Sequence, residues 1–211
     1  MNNIFKKKLV RKDYEVTQRE VLYRGVFTFA RYHFRYKLFD GSWSHIVNRE
    51  ILERLSAAAV LPYDPVRDEI VLIEQFRPGA AFQKDPWLVE IVAGILDSDQ
   101  LPAEVAKREA IEEAGCVIEK VIPICEYFVS PGGSNEYLHL YCGKTDTQNI
   151  NGVYGLEEEN ENIRATAMPA DEAFEKLRNG LIKTSPAIIS LQWLQINRTM
   201  LQELWSNNDN S

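Results

Sequence analysis

The stretch from 102 to 115 limits the possible folds most, because its residue order predicts a helix with two very different faces. Pro102 suits a first helical turn, and Gly115 suits the position just beyond a last one. Most residues between them are strong helix formers. The mostly small side chains of one face allow close packing against a sheet. That face carries Ala103, Ala106, Ala110, Ile111 and Ala114, and the other face carries Glu109, Glu112 and Glu113.

The three glutamates of this helix have two interpretations on their spacing alone. Carboxylates this close together repel one another, and a solvated acidic face would tolerate that repulsion. The same oxygens suit a hard divalent cation, because Mg²⁺ takes a few carboxylate ligands and fills its remaining positions with water and phosphate. A bound cation would relieve the repulsion. The spacing leaves both interpretations open.

The composition predicts a globular protein without a membrane span. The 211 residues are 45% hydrophobic and 26% charged, which suits one domain or a domain with a smaller lobe. No apolar run is long enough for a membrane helix, and the basic start lacks a signal-peptide core, so we expect a cytoplasmic location. The net charge of −7 argues against nucleic acid as a partner, although the basic start is either a frayed terminus or a nucleic-acid arm. Cys116, Cys125 and Cys142 match no zinc or redox spacing.

Hydrophobic periodicity predicts several strands before the acidic helix. A period of two over 28–38, a turn at Asp40 and Gly41 and a returning strand over 43–52 predict a small antiparallel lobe from about residue 10 to 52. Further strands are predicted over 57–63 and 69–77, which form a second hairpin, and over 87–94.

The chain beyond the acidic helix predicts more strands and two late helices. The acidic run 156–163 follows a stretch rich in asparagine and glycine, and it predicts a loop. Strands, a helix, more strands and late helices predict an α/β fold with a mixed sheet between helices. The later strands are predicted over 121–129 and 136–144, and the helices over 169–180 and 185–205.

The span from Gly94 to Cys116 resembles the signature of the Nudix hydrolases. That signature is a glycine, five residues, a glutamate, seven residues, Arg-Glu, an apolar residue, any residue, Glu-Glu, any residue, a glycine and an apolar residue. One position departs, because Gln100 stands where the family has glutamate. The resemblance implies that Gln100 supports Arg108 through a weaker hydrogen bond than a carboxylate would make. The matching residues are Gly94, Arg108, Glu109, Ala110, Glu112, Glu113, Gly115 and Cys116.

The likeness extends over roughly residues 14–200 and is strongest to the bacterial ADP-ribose pyrophosphatase branch of the family. Ser130, Pro131 and Gly132 stand at the distance from Gly115 that is typical of that branch. The resemblance implies an α/β/α sandwich over residues 53–211 and an N-terminal β lobe over residues 1–52. In the resembling enzymes the lobe is exchanged with a second subunit, so the resemblance also implies a homodimer.

The resemblance implies a site for two or three Mg²⁺ ions, with Mn²⁺ as an alternative metal. The loop over 156–163 would supply the general base, for which alignment gives Glu159 and leaves Glu158 as the alternative. The metal contacts implied are the backbone carbonyl of Ala93 and the side chains of Glu109, Glu112, Glu113 and Glu161.

The resemblance also implies a set of substrate contacts. Arg49, Arg54 and Arg77 would hold phosphate and ribose, because planar bidentate donors suit that task; they are otherwise ordinary surface or ion-pair residues. Phe27 and Val26 would flank adenine, although Phe27 fits a core position equally well. The remaining contacts implied are Glu50, Ile95, Ser130, Pro131, Gly132 and Glu136.

The reaction implied is Mg²⁺-dependent hydrolysis of ADP-ribose to AMP and ribose 5-phosphate. The nearest alternative is a Nudix pyrophosphatase for another nucleoside diphosphate sugar, such as GDP-mannose. A more remote alternative is a Nudix domain that binds a ligand as a regulator without catalysis. That last class would lack the acids and carry a DNA-binding module, whereas this chain keeps the acids and shows no helix-turn-helix pattern.

Overall fold

The computed structural model describes residues 13–83, 85–97 and 99–206. The chain forms two compact units. One unit contains the chain up to Arg54 together with Ser130–Glu136, and the other contains Leu55–Val129 and the chain from Tyr137 onward. No helix within these described ranges is long and apolar enough to cross a membrane.

The first unit is a three-stranded antiparallel sheet. Its strands are β1 (Tyr14–Arg24), β2 (Thr28–Tyr36) and β3 (Val47–Glu53), paired in the order β1-β2-β3. The hairpin predicted at Asp40 and Gly41 is present, but β3 starts four residues later than the predicted 43. Trp43 pairs with Lys37 only as an isolated bridge, so the ladder is interrupted there. The segment Ser130–Glu136 lies along β3, where the Leu52 N–H donates to the Gly133 carbonyl at 2.8 Å.

The second unit is built on an eight-stranded mixed sheet. The strand order is β10-β11-β5-β4-β9-β8, with β6 beside β5 and β7 beside β4. The pair β4 and β9 is parallel, whereas β4 pairs with β5 and β7 in the antiparallel sense. The strands are β4 (Ala57–Asp64), β5 (Glu69–Phe76), β6 (Trp87–Glu90), β7 (Val92–Ile95), β8 (Lys120–Phe128), β9 (Tyr137–Lys144), β10 (Asn151–Tyr154) and β11 (Ile163–Pro169).

Three helices cover the two faces of this sheet. They are α1 (Pro102–Ala114), α2 (Ala170–Arg178) and α3 (Ser185–Ser206). Alternate residues of β4 point to opposite faces, so Leu61 packs with α2 and α3 while Val60 packs with α1. The unit is therefore an α/β/α sandwich with two hydrophobic cores, as the sequence predicts.

The helix α1 has the predicted bounds, but its packed face differs from the prediction, because Ile111 is 54% exposed while Val105 and Glu113 are buried. It begins at Pro102 and ends at Ala114, and Gly115 follows with a left-handed φ of 64°. The apolar residues Val105, Ala106, Ala110 and Ala114 are buried in the core beneath it. The helix thus packs closely on the sheet, with Glu113 buried in that contact and Glu109 and Glu112 half-buried.

Three strand predictions need correction. The single strand expected over 87–94 is two strands, because the chain changes neighbours at the buried Ile91: β6 pairs with β5 and β7 pairs with β4. The hairpin expected between 57 and 77 has only two residue pairs, at Tyr63–Ile70 and Asp64–Glu69. No strand is predicted in the stretch before residue 156, where the structure has β10, which pairs with β11.

Candidate active site

The acidic helix meets the end of β7 at Gly94. A Cβ atom on Gly94 would lie only 2.0 Å from Oε1 of Glu109. Any side chain at this position would therefore displace the Glu109 carboxylate. The requirement for glycine arises from this close approach, since it lets one acid of α1 rest directly on the sheet.

Glu113 is the most deeply buried acid of the helix. Its side chain accepts a hydrogen bond from the backbone N–H of Ala93 at 3.0 Å, and the residue is 3% exposed. The pKa of Glu113 is raised to about 8, chiefly by burial and also by the nearby carboxylates of Glu109 and Glu161, while the hydrogen bond from Ala93 lowers it. Such a carboxyl needs a cation beside it to ionise fully at neutral pH.

Arg108 holds the other two acids of the helix. Its guanidinium donates to Oε1 of Glu109 and to Oε2 of Glu112, each at 2.6 Å. Burial raises the pKa of Glu109 above its ordinary value, Arg108 lowers it, and the carboxylates of Glu112 and Glu161 raise it. The arginine therefore compensates part of the repulsion that the sequence implies.

Glu161 joins this cluster from the loop between β10 and β11. Its Oε2 accepts a hydrogen bond from the Leu156 N–H at 3.2 Å, so the carboxylate closes its own loop. The backbone of Glu157–Glu159 forms one 3-10 turn, which places Glu158 and Glu159 on the same loop. The side chain of Glu159 lies outside what the structure describes.

The donor set of this cluster fits a hard divalent cation. Carboxylate oxygens from α1 and from the loop approach the same strand end, and Mg²⁺ prefers oxygen to nitrogen or sulfur ligands. In the described part of the chain, no three His, Cys, Asp or Glu side chains already enclose an ion-sized space. Glu109 and Glu112 are instead turned to Arg108. Each of these bonds uses one oxygen of its carboxylate, so the second oxygen of Glu109 and of Glu112 is left for a cation.

Arg77 lies beyond the end of β5, close enough to lower the pKa of Glu113. Its Nε donates to Oε2 of Glu90 at 2.8 Å, and the Gln75 amide donates to the same oxygen at 3.2 Å. Glu90 is the last residue of β6, and the sequence does not predict it as part of the site, because its pairing with Arg77 forms only in the folded chain. Ile95, the last residue of β7, is partly exposed.

The first unit brings several predicted substrate contacts together. The Arg54 guanidinium lies 4.7 Å from the ring centroid of Phe27 and donates to Oε2 of Glu136 at 3.0 Å. The Asn135 side chain accepts the backbone N–H of Arg54 at 2.7 Å, which fixes the loop beside β3. The Nε of Arg54 is buried and has no hydrogen-bond partner among the described residues.

The other predicted contacts of this unit are more open. Val26 is 97% exposed, and Arg49 donates only to the carbonyl of the preceding Asn48 at 2.8 Å. Glu50 is paired with Arg31 at 2.9 Å. Ser130, Pro131 and Gly132 form an exposed turn, in which the Ser130 carbonyl accepts the N–H groups of Gly133 and Ser134.

Comparison with protein families shows to which family this fold and its acidic helix belong. A family model described as the NUDIX domain matches residues 53–188. The chain belongs to the Nudix family. Nudix hydrolases generally need a divalent metal ion, usually Mg²⁺, which agrees with the donor set of the site.

Several Nudix relatives match along most of the chain. The ADP-ribose pyrophosphatase of Escherichia coli strain K12 is 43% identical over 197 residues, which cover 93% of this chain and 94% of that protein. The ADP-ribose pyrophosphatase of Haemophilus influenzae is 39% identical over 198 residues, covering 92% and 91%. The GDP-mannose pyrophosphatase of Cronobacter sakazakii is 37% identical over 155 residues, covering 72% of this chain and 80% of that protein.

A solved structure supports the Nudix fold independently. The crystal structure of an ADP compounds hydrolase aligns with a TM-score of 0.65, covering 87% of this chain and 95% of that one. Its sequence is only 16% identical, so this likeness bears on the fold alone.

The Nudix signature residues occupy distinct places in this structure. Gly94 makes room for Glu109, Gly115 ends α1, and Arg108 binds Glu109 and Glu112. Gln100 is exposed, and no hydrogen bond joins it to Arg108 in the described ranges. A supporting role for Gln100 stays a prediction.

Proposed function

We propose that this chain hydrolyses ADP-ribose to AMP and ribose 5-phosphate. The observation that carries the proposal is the 43% identity to an ADP-ribose pyrophosphatase over 93% of the chain. That similarity includes the N-terminal unit, which carries the proposed substrate contacts Phe27, Arg54 and Glu136. The reaction breaks one P–O bond of the diphosphate bridge, and the oxygen of a water molecule becomes part of the product phosphate.

The acid cluster would hold two or three Mg²⁺ ions, for which Mn²⁺ is a substitute. Glu109, Glu112, Glu113 and Glu161 would bind them through carboxylate oxygens, and Ala93 through its backbone carbonyl. When bound, such ions neutralise charge on the diphosphate and lower the pKa of a coordinated water. Support comes from Glu113, a buried carboxyl whose pKa Glu109 and Glu161 raise, because a cation beside it would favour the ionised form.

The proton of the attacking water would pass to a carboxylate of the loop between β10 and β11. We assign this general base to Glu159, with Glu158 as the alternative on the same turn. Glu161 on the same loop would take part as a metal contact. Motion of this loop would carry the base towards the substrate and exclude bulk water.

The proposed substrate contacts are the residues that the sequence predicts. Phe27 and Val26 would flank adenine, and the guanidinium of Arg54 would hold phosphate or ribose. Arg77 would bind phosphate when it leaves Glu90. The further contacts proposed are Arg49, Glu50, Ile95, Ser130, Pro131, Gly132 and Glu136.

We further propose that the protein is a homodimer joined through its N-terminal unit and that it acts in the cytoplasm. The proposed partners are the nucleotide substrate and a second copy of the chain, without nucleic acid or membrane. The dimer is supported by β1, all eleven residues of which are exposed.

A panel of nucleotide sugars tests the proposed reaction. Purified protein with Mg²⁺ is incubated with ADP-ribose, ADP-glucose and GDP-mannose, and AMP or GMP release is measured. We expect ADP-ribose to give the highest kcat/KM, and Glu113→Gln to lower kcat strongly while the circular dichroism spectrum stays unchanged. Faster hydrolysis of GDP-mannose would contradict the substrate. Binding of ADP-ribose without any release of AMP would favour the alternative of a Nudix domain that binds a ligand as a regulator without catalysis.

A further inference from the structure

The end of β10 packs directly against the end of α1. The ring of Tyr154 lies where a side chain on Gly115 would have to be, since a Cβ there would be 2.7 Å from the ring. The same ring is 3.3 Å from the position of a Cβ on Gly152. Two glycines thus leave space for one aromatic ring, and Gly115 also needs its freedom for a φ of 64°.

The next residue, Gly155, is a tight hinge between this ring and the acidic loop. Its φ is 107°, which side chains rarely allow, and a Cβ would lie 2.6 Å from Cβ of Glu161. Its backbone N–H donates to the carbonyl of Glu112 at 3.2 Å. The hinge is therefore attached both to the helix that carries the acids and to the acid of the loop.

The loop beyond the hinge is closed by its own hydrogen bonds. The Glu161 N–H donates to the Leu156 carbonyl at 3.2 Å, while the Leu156 N–H donates to the Glu161 carboxylate at 3.2 Å. The Asn160 N–H donates to the Glu157 carbonyl at 3.1 Å. Because these bonds join the two ends of residues 156–161, this segment can move as one piece about Gly155.

We propose that Tyr154 and Gly155 are positioning residues that set where Glu161 stands relative to the acids of α1. The ring of Tyr154 fixes the end of β10 on α1, and Gly155 transmits that position to Glu161 through direct backbone contact. Neither residue touches the reacting atoms. This proposal rests on the proposed function only in giving Glu161 a role in metal binding.

The ring, rather than the hydroxyl, carries this effect. Ring carbons are the nearest atoms to a Cβ at both glycines, at 2.7 Å for Gly115 and 3.3 Å for Gly152, and the hydroxyl oxygen lies farther away, at 3.1 Å and 3.5 Å. Tyr154→Phe should therefore keep the positioning, whereas Tyr154→Ala should leave a cavity between β10 and α1. Gly155→Ala should push Glu161 out of place while the ring stays.

The test uses hydrogen exchange on the full-length, metal-free chain. We expect Tyr154→Ala to raise the exchange rates of the Gly155, Leu156 and Glu161 amides about tenfold, which corresponds to ~1.4 kcal/mol of opening free energy. Tyr154→Phe should match the parent. The control is Val71→Ala, which removes a buried side chain of β5 from the same core cluster and should lower Tm without raising exchange in the loop.

Activity measurements add a second readout. Tyr154→Ala and Gly155→Ala should raise the Mg²⁺ concentration for half-maximal rate several-fold more than Val71→Ala does, and Tyr154→Phe should restore the parent value. Equal effects of Tyr154→Ala and Val71→Ala on loop exchange and on Mg²⁺ dependence would overturn the proposal. If the parent hydrolyses none of the nucleotide sugars, the proposed function fails, and the exchange result still decides the role of Tyr154.

Discussion

Glu113 shows how burial and charge conflict at a single residue of this site. Its pKa is raised from 4.5 to about 8, chiefly by burial and then by Glu109 and Glu161. Between these pH values the folded chain keeps a proton that the unfolded chain has released. The folded state therefore binds more protons, and the free energy of unfolding falls as the pH rises through this window.

Replacing Glu113 with glutamine should remove this dependence in the metal-free protein. We expect Glu113→Gln to have a higher Tm than the parent at about pH 8, with the difference shrinking as the pH falls towards 4.5. Calorimetry in the presence of EDTA measures this difference in Tm at each pH. Glu203→Gln on the exposed side of α3 is the control. Parallel Tm profiles for the parent and Glu113→Gln would contradict the account of a buried acid.

At the scale of an element, α3 carries a polar group that the core does not satisfy. Ser190 is fully buried on this helix, and its hydroxyl has no hydrogen-bond partner among the described residues. Its neighbours Ala187, Leu191 and Leu194 belong to the core. A buried hydroxyl without a partner destabilises the fold by about 1 kcal/mol or more.

Ser190→Ala should therefore stabilise the protein. We expect the free energy of unfolding to rise by about 1 kcal/mol and Tm to rise by about 2–4 °C. Ser185→Ala is the matched control on the same helix, because the Ser185 hydroxyl lies 3.2 Å from the hydroxyl of Tyr127 and its loss brings no such gain. A lower Tm for Ser190→Ala would show that the hydroxyl has a partner.

The helices and strands also show which parts of the fold can be predicted from the sequence. The signals for α1 are local, since Pro102, Gly115 and the helix formers between them suffice. The division of 87–94 into β6 and β7 is set by two different neighbouring strands, and no residue near Ile91 encodes that choice. β10 contains asparagine and glycine and is a strand because β11 pairs with it.

The same distinction holds for the site. Glu109, Glu112 and Glu113 could be found because helical spacing places them on one face, whichever structure surrounds them. Glu90 and Tyr154 could not, because their roles depend on Arg77 and Gly115, which approach them only in the folded chain. The acids of α1 can therefore be predicted from local sequence, whereas the residues that contact and position the site are recognised only in the folded chain.

At the scale of the whole molecule, the N-terminal sheet has little core of its own, since Ala30 is the one buried residue among the described residues 13–54. Tyr14, Val16 and Val21 are exposed on β1, and the strand pairing puts Val16 opposite Phe34 and Val21 opposite Ala30 on one face. A three-stranded sheet of this size needs a hydrophobic face that is covered by something else. A second copy of the chain supplies that cover in the proposed homodimer.

Light scattering at micromolar concentration measures this assembly. We expect the parent to have twice the chain mass of 24.3 kDa. Val16→Arg should shift it towards the monomer, because an unpaired guanidinium would be buried against the partner. Gln18→Arg is the control, since a register shift between Val16 and Gln18 turns this neighbour to the opposite face, where it pairs with His33. A fully active parent of monomer mass would contradict the dimer, and a Val16→Arg dimer as stable as the parent would show that the copies meet elsewhere.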